Sequence, residues 1–170
     1  MQILVDADSC PRQAREMALR FSHRLKIKII FAANRRIPLI PDNGLIPESG
    51  VIPESGAQME ICPPGEGAAD DRIVALARSG DLAITRDLPL AERLVEAGVA
   101  VIDDRGRVFT AENIRERRSV RDFVVNLAEN GMDTERIASY GKKELNAFAN
   151  SLDRELSRLN RLRDKDAGSV

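Results

Sequence analysis

The sequence predicts an α/β fold with a doubly wound, mainly parallel sheet of about five strands, flanking helices and a C-terminal amphipathic helix. Three observations predict it. Short apolar runs alternate with segments of helical periodicity, glycines fall where helices must stop before strands, and the C-terminal region carries one apolar stripe at helical spacing.

Ile3 to Val5 reads as the first strand. Pro11 suits a first helical turn, and Ala14, Met17, Ala18, Phe21 and Leu25 recur at helical spacing, so a helix is expected from Pro11 to Arg24 with Ser9 or Cys10 as its cap. Lys26 to Ala32, rich in Ile, is the second strand, and Ala57 to Ile61 is a weaker edge strand. Between them, residues 34–56 carry no secondary-structure signal and hold a tandem hexapeptide, Leu45 to Gly50 followed by Val51 to Gly56. Its Pro-Glu-Ser-Gly units predict an exposed, mobile loop.

Asp71 to Arg78 reads as a short helix, Leu82 to Thr85 as a buried strand, Pro89 to Ala97 as a helix and Val99 to Ile102 as a further strand. Gly80 and Gly98 stop the helices before each strand. Beyond Ile102 the character changes. Arg105 to Arg121 holds six arginines against two glutamates, Val120 to Asn130 looks helical, and Lys142 to Leu162 is amphipathic. Leu145, Phe148, Leu152, Leu156 and Leu159 share one stripe, which must dock on the domain or on another copy, so a homo-oligomer through this helix is open. The expected division is an α/β domain over 1–135 and a helical tail over 136–170.

At 170 residues with a formal net charge of −1, the chain does not bind nucleic acid through its global field, leaving a local basic patch as the only footprint of that kind. Its basic residues are 21 Arg and 5 Lys, a bias compatible with phosphate recognition. Two cysteines, Cys10 and Cys62, and no secretory or membrane-spanning stretch predict a cytoplasmic protein without membrane contact. His23 and the two thiols make no zinc pattern.

The chemistry sits in the aspartates. Asp6 and Asp8 follow the first strand, Asp87 follows Leu82 to Thr85, and Asp70-Asp71 open the helix between. Strand C-termini line the ligand crevice of an open α/β sheet, so these acids can converge, and a hard cation such as Mg²⁺ or Mn²⁺ tolerates such a cluster. Asp6 and Asp8 share a face if the strand stays extended. One of Asp70 and Asp71 is expected to be a helix cap, and Asp87 could also cap. Thr85 is placed to orient a water or a phosphate, and Arg105, Arg115 and Arg118 to position a phosphate backbone.

Val5 to Pro11, Ala69-Asp70 with Ile73-Val74, Gly80 to Ala91, and Arg105-Gly106 followed by Asn113 to Arg115 resemble the YaiI/YqxD family, also called UPF0178 or DUF188. That family is similar to the PIN-like superfamily of Mg²⁺- or Mn²⁺-dependent nucleases. The resemblance implies a PIN-like fold, a metal site on Asp6, Asp70 and Asp87 with Asp8 as a further ligand, and phosphodiester hydrolysis of nucleic acid, RNA before DNA. Asp71, where the family commonly has a neutral amide, and the long hexapeptide loop depart from the pattern.

Two alternatives stand beside the nuclease. One is a non-catalytic nucleic-acid-binding PIN-like domain. The other, a phosphatase using Asp6 as nucleophile and Asp8 as acid/base, is disfavoured because Gly80-Asp81 precedes its strand rather than following one.

Overall fold

A computed structural model describes residues 1–37, 51–52, 56–65, 67–116 and 140–167. Its strands are β1 (Gln2–Asp6), β2 (Lys28–Ala33), β3 (Val51–Ile52), β4 (Ala57–Ile61), β5 (Leu82–Ile84), β6 (Ala100–Ile102) and β7 (Val108–Phe109). The helices are α1 (Arg12–Leu25), α2 (Ala68–Leu76), α3 (Leu88–Glu96), α4 (described over 111–116) and α5 (Lys142–Ala167). The sheet runs β3-β4-β2-β1-β5-β6-β7.

The five expected strands form the parallel centre of this sheet. The two additions are dipeptides at its margins. β3 pairs antiparallel with β4, Val51 opposite Gln58, and β7 pairs antiparallel with β6, Val101 opposite Phe109. Thus the expected loop over 34–56 is corrected at two places: Val51–Ile52 is a strand, and Ile37 is buried in the core. Residues 38–50 and 53–55 lie outside the described residues, as does the helix expected over Val120 to Asn130.

Period-two alternation splits the strands between two apolar layers. Ile3, Val5, Ile29 and Phe31 face Ala14, Ala18 and Phe21 of α1 and Phe148, Leu152 and Leu156 of α5. Leu4, Ile30, Ala83 and Val101 face Ala69 and Ile73 of α2 and Leu90, Ala91 and Leu94 of α3. With both faces covered, the strands read as unbroken apolar runs, which is why their number and order were readable. Winding starts at β1, proceeds outward through β2 and β4, then returns to β5 on the other side. This reversal makes the gap between β1 and β5 the topological switch point.

Several boundaries shift for local reasons. Pro11, not Ser9 or Cys10, occupies the N-cap of α1 and makes no side-chain cap bond. Lys26 ends that helix in the left-handed region at φ 54°, so β2 begins at Lys28. α2 starts earlier than expected, behind Gly67, so Asp70 and Asp71 lie inside its first turn and neither is its cap.

The apolar stripe of the C-terminal helix is spent inside its own chain: Phe148, Leu152 and Leu156 are fully buried. The helix also closes on the β6–β7 turn, where Ser151 Oγ donates to Gly106 O at 2.5 Å. Gly106 has φ +80°, and a Cβ there would collide with the main-chain carbonyl of Ala147. No helix among the described residues is long and apolar enough to cross a membrane.

This seam yields a stability prediction. Gly106→Ala combines a left-handed backbone with a clash against helix backbone and is expected to cost about 2–4 kcal/mol. Leu152→Ala leaves a cavity in the same seam and is expected to cost about 2–5 kcal/mol. Urea unfolding of both variants checks this; a Gly106→Ala midpoint equal to wild type would show that α5 does not press on the turn.

Candidate functional site

Asp6 ends β1 at the switch point and is 5% exposed. Its carboxylate is fixed from two sides: Oδ2 accepts from Ser9 Oγ at 2.6 Å and from Thr85 Oγ1 at 2.8 Å, across the β1–β5 boundary. Among the described residues, Oδ1 accepts only a long 3.4 Å contact from Ser9 N. Thr85 in turn accepts from Asp87 N at 3.0 Å, so its hydroxyl proton is directed to Asp6. Asp87 is the N-cap of α3, its Oδ1 accepting from Leu90 N at 2.8 Å, with Pro89 in the first turn.

Asp70 enters the same neighbourhood from the start of α2. Burial first, then the like charges of Asp6 and Asp87, push its carboxyl up from 3.8 to about 6, with Arg93 opposing. The three acids therefore share one electrostatic field at the strand C-terminal rim. Asp6 carries three donors, and the uncompensated charge falls on Asp70. Asp71 points elsewhere, exposed and paired with Arg93 at 2.8 Å.

Asp8 is committed to the neighbouring loop. Its Oδ2 accepts from Asn34 N at 2.8 Å, and Arg35 Nε stands 3.4 Å from Oδ1. Among the described residues, no three His, Cys, Asp or Glu side chains stand close enough together to chelate one ion. The donor set nonetheless suits a hard cation in kind, being all carboxylate oxygen with unrelieved charge at Asp70.

The arginine run is divided rather than gathered. Arg105 sits on the turn after β6, facing Glu144 of α5 at 3.8 Å. Arg115 is exposed on α4, which begins only after β7 has carried the chain back along β6. Arg118 lies outside the described residues. A cavity of about 730 Å³ opens at the opposite edge of the sheet, between Val99, Phe109 and the α5 residues Arg158, Leu159 and Leu162. It contains none of the acids discussed above.

Four residues of the rim were not among the expected site residues: Ser9, expected only as a helix cap, and Arg86, Asp103 and Asp104. The rule that singled out Asp6 and Asp87, an acid directly after an apolar strand, applies equally to Asp103-Asp104 after Val99 to Ile102. Both are 1% exposed at the end of β6, beside β5.

Comparison with known proteins shows the family. A profile of the DUF188 family, described as "Uncharacterized BCR, YaiI/YqxD family", matches residues 4–158. A UPF0178 protein of Treponema denticola is 43% identical over 167 residues, covering 98% of this chain and 99% of the relative. One from Treponema pallidum is 43% identical over 162 residues, covering 95% and 85%, and one from Myxococcus xanthus is 41% identical over 161 residues, covering 94% and 96%. No solved structure gives a significant match. The match spans β1 and its Asp6, the α2 and α3 openings with Asp70 and Asp87, the Gly106 turn and most of α5, and on that near-complete coverage the chain belongs to the YaiI/YqxD (UPF0178) family.

Proposed function

We propose that this protein is a Mg²⁺- or Mn²⁺-dependent nuclease that hydrolyses phosphodiester bonds, acting on RNA in preference to DNA. The observation that carries the reading is the meeting of acids at the switch point: the Thr85 hydroxyl bonds both Asp6 Oδ2 and the main-chain N of Asp87, and Asp70 lies within the field of those two carboxylates. Acids with perturbed titration gathered at a switch point are where α/β proteins keep their chemistry.

Asp6, Asp70 and Asp87 would hold the cation, with Asp8 at the margin of the set. When bound, such an ion supplies Lewis acidity toward water and phosphoryl oxygen. The chain's own contribution is orientation. Ser9 and Thr85 occupy Oδ2 of Asp6, leaving Oδ1 as its weakly bonded oxygen. Asp87 uses Oδ1 for its helix cap, so Oδ2 would be its oxygen for the cation. With its carboxyl pushed up to about 6, Asp70 would take a cation in competition with a proton.

The second reading, a non-catalytic nucleic-acid-binding PIN-like domain, is favoured by the lack of a closed chelating triad among the described residues. One assay separates the two. RNA and DNA oligonucleotides incubated with purified protein and Mn²⁺ are expected to be cut, RNA faster. Asp6→Asn, from the same preparation, is expected to lose at least about 100-fold, since even outer partners of a metal act on that scale. Binding without cleavage by the wild type, unchanged by EDTA, would decide for the binding domain.

The raised pKa of Asp70 generates a pH prediction. Its folded value exceeds the unfolded 3.8, so ionisation costs the folded state more than the unfolded chain. The penalty develops as pH rises from 3.8 to about 6 and is complete above that. Without divalent cation, Asp70→Asn should therefore melt above wild type at about pH 7.5, by about 2–4 °C after solvent screening, and match it or fall below it near pH 4. With Mn²⁺ the wild type should gain and the mutant should not. Thermal melts over pH with EDTA and with Mn²⁺ test both statements; a mutant that melts lower at every pH would remove the like-charge account.

A further inference from the structure

Adjacent carboxylates at the end of β6 have opposite fates. Asp103 is answered on all sides: Oδ1 accepts from Arg105 N at 2.9 Å and Arg107 N at 2.8 Å, and Oδ2 from Arg107 Nε at 2.5 Å. It is the staple of the β6–β7 turn. Asp104 is equally buried, at 1% exposure, yet among the described residues neither of its oxygens has a hydrogen-bond donor. Its ion partner is Arg86, with Nε 3.4 Å from Oδ1. Tyr140 Oη, donating to Asp104 O at 2.9 Å, holds the main chain.

A carboxylate kept out of water with one imperfect partner is costly, so it needs a reason other than stability. Arg86 supplies one. It lies between Thr85 and Asp87, its main-chain N donates to Ser9 Oγ at 3.4 Å, and its side chain is 42% exposed. A guanidinium has donors on two edges, so one that faces Asp104 with Nε has its Nη donors left for a second acceptor. Other arginines nearby are engaged: Arg15 with the carbonyls of Ala7 and Cys10, Arg12 with Glu16, Arg35 with Asp8 and Arg105 with Glu144. In a rim dominated by acids, an approaching phosphodiester meets repulsion unless one cation is already set to receive it.

We propose that Arg86 is the guanidinium that receives a phosphate of a single-stranded nucleic acid beside Asp6 and Asp87, and that Asp104 is its positioning residue. The inference rests on the nuclease reading above and adds to it a named substrate contact. Asp104 gives direction rather than charge: the pair is neutral, so its value lies in holding the planar fork where two N–H groups can meet two phosphate oxygens.

The test is equilibrium binding of a fluorescein-labelled single-stranded RNA, read by anisotropy over a KCl series, once in EDTA and once with Ca²⁺. Arg86→Gln is expected to weaken binding about tenfold at about 100 mM salt. It should also reduce the slope of log affinity on log salt by about 0.7, the signature of one lost phosphate contact on a single strand. Arg86→Lys should keep the slope and lose affinity. Arg161→Gln, exposed on the α5 segment near the opposite edge, should change neither. Asp104→Asn removes a negative charge, so bare electrostatics would tighten binding, whereas a positioning role weakens it. Thermal melts accompany each variant, and if Asp104→Asn does not fold, the slope of Arg86→Gln decides alone. Wild-type binding with an unchanged affinity and slope in Arg86→Gln, or tighter binding by folded Asp104→Asn, overturns this proposal and leaves the nuclease reading intact. A wild type that binds neither RNA nor DNA in either condition overturns both.

Discussion

The hydrogen bond from Thr85 Oγ1 to Asp6 Oδ2, 2.8 Å long, joins the ends of the two central strands at the point where the winding of the sheet reverses. It depends on register: β1 and β5 pair with Val5 beside Ile84, which brings the next residue of each strand side by side. A slip of one residue would turn both side chains away from each other. From this bond the order propagates outward. The same Thr85 hydroxyl receives Asp87 N, Asp87 opens α3, and Ser9 closes the loop after β1 onto the second side of Asp6.

The acids at the two ends of the sheet divide into those the fold has answered and those it has not. Asp81, at the opposite edge, takes the main-chain N of Gln2 and Arg78 and the Gln2 side chain, so it is a structural tie. Asp103 ties a turn in the same way. Asp70 and Asp104 have no such saturation, and both are pushed above the ordinary carboxylate range with burial as the first cause. Burial alone does not separate the two kinds, since Asp103 and Asp104 are equally covered. Donor supply does.

Much of this was legible in the sequence because a parallel sheet covered on both faces writes its strands as apolar runs and its helices at a different period. All five central strands, α1 and the docking stripe of α5 followed from that contrast. Two-residue edge strands did not, because Val51–Ile52 and Val108–Phe109 are too short to show a period. Helix starts were also missed where the backbone itself made the cap: Gly67 before α2 leaves no side-chain signature of the Ser, Thr or Asp type. The meeting of Asp6 and Asp87 at the strand ends was readable from position alone. The ion pair of Arg86 with Asp104 was not, since the carboxylate follows another strand, and only the pairing of β5 with β6 brings the two together.

The close approach of α5 to Gly106 has a dynamic consequence. Local opening of a protein proceeds in cooperative units, and a turn pressed under a helix cannot open unless the helix lifts. With Gly106 against Ala147, Ser151 bonded to Gly106 and Tyr140 bonded to Asp104, the β6–β7 turn belongs kinetically to α5 rather than to the rim loops beside it. Its amides would exchange with those of the helix seam. A buried acid at the rim thereby takes its persistence from the far layer of the molecule, and slow breathing of the C-terminal helix becomes a fluctuation of the rim itself.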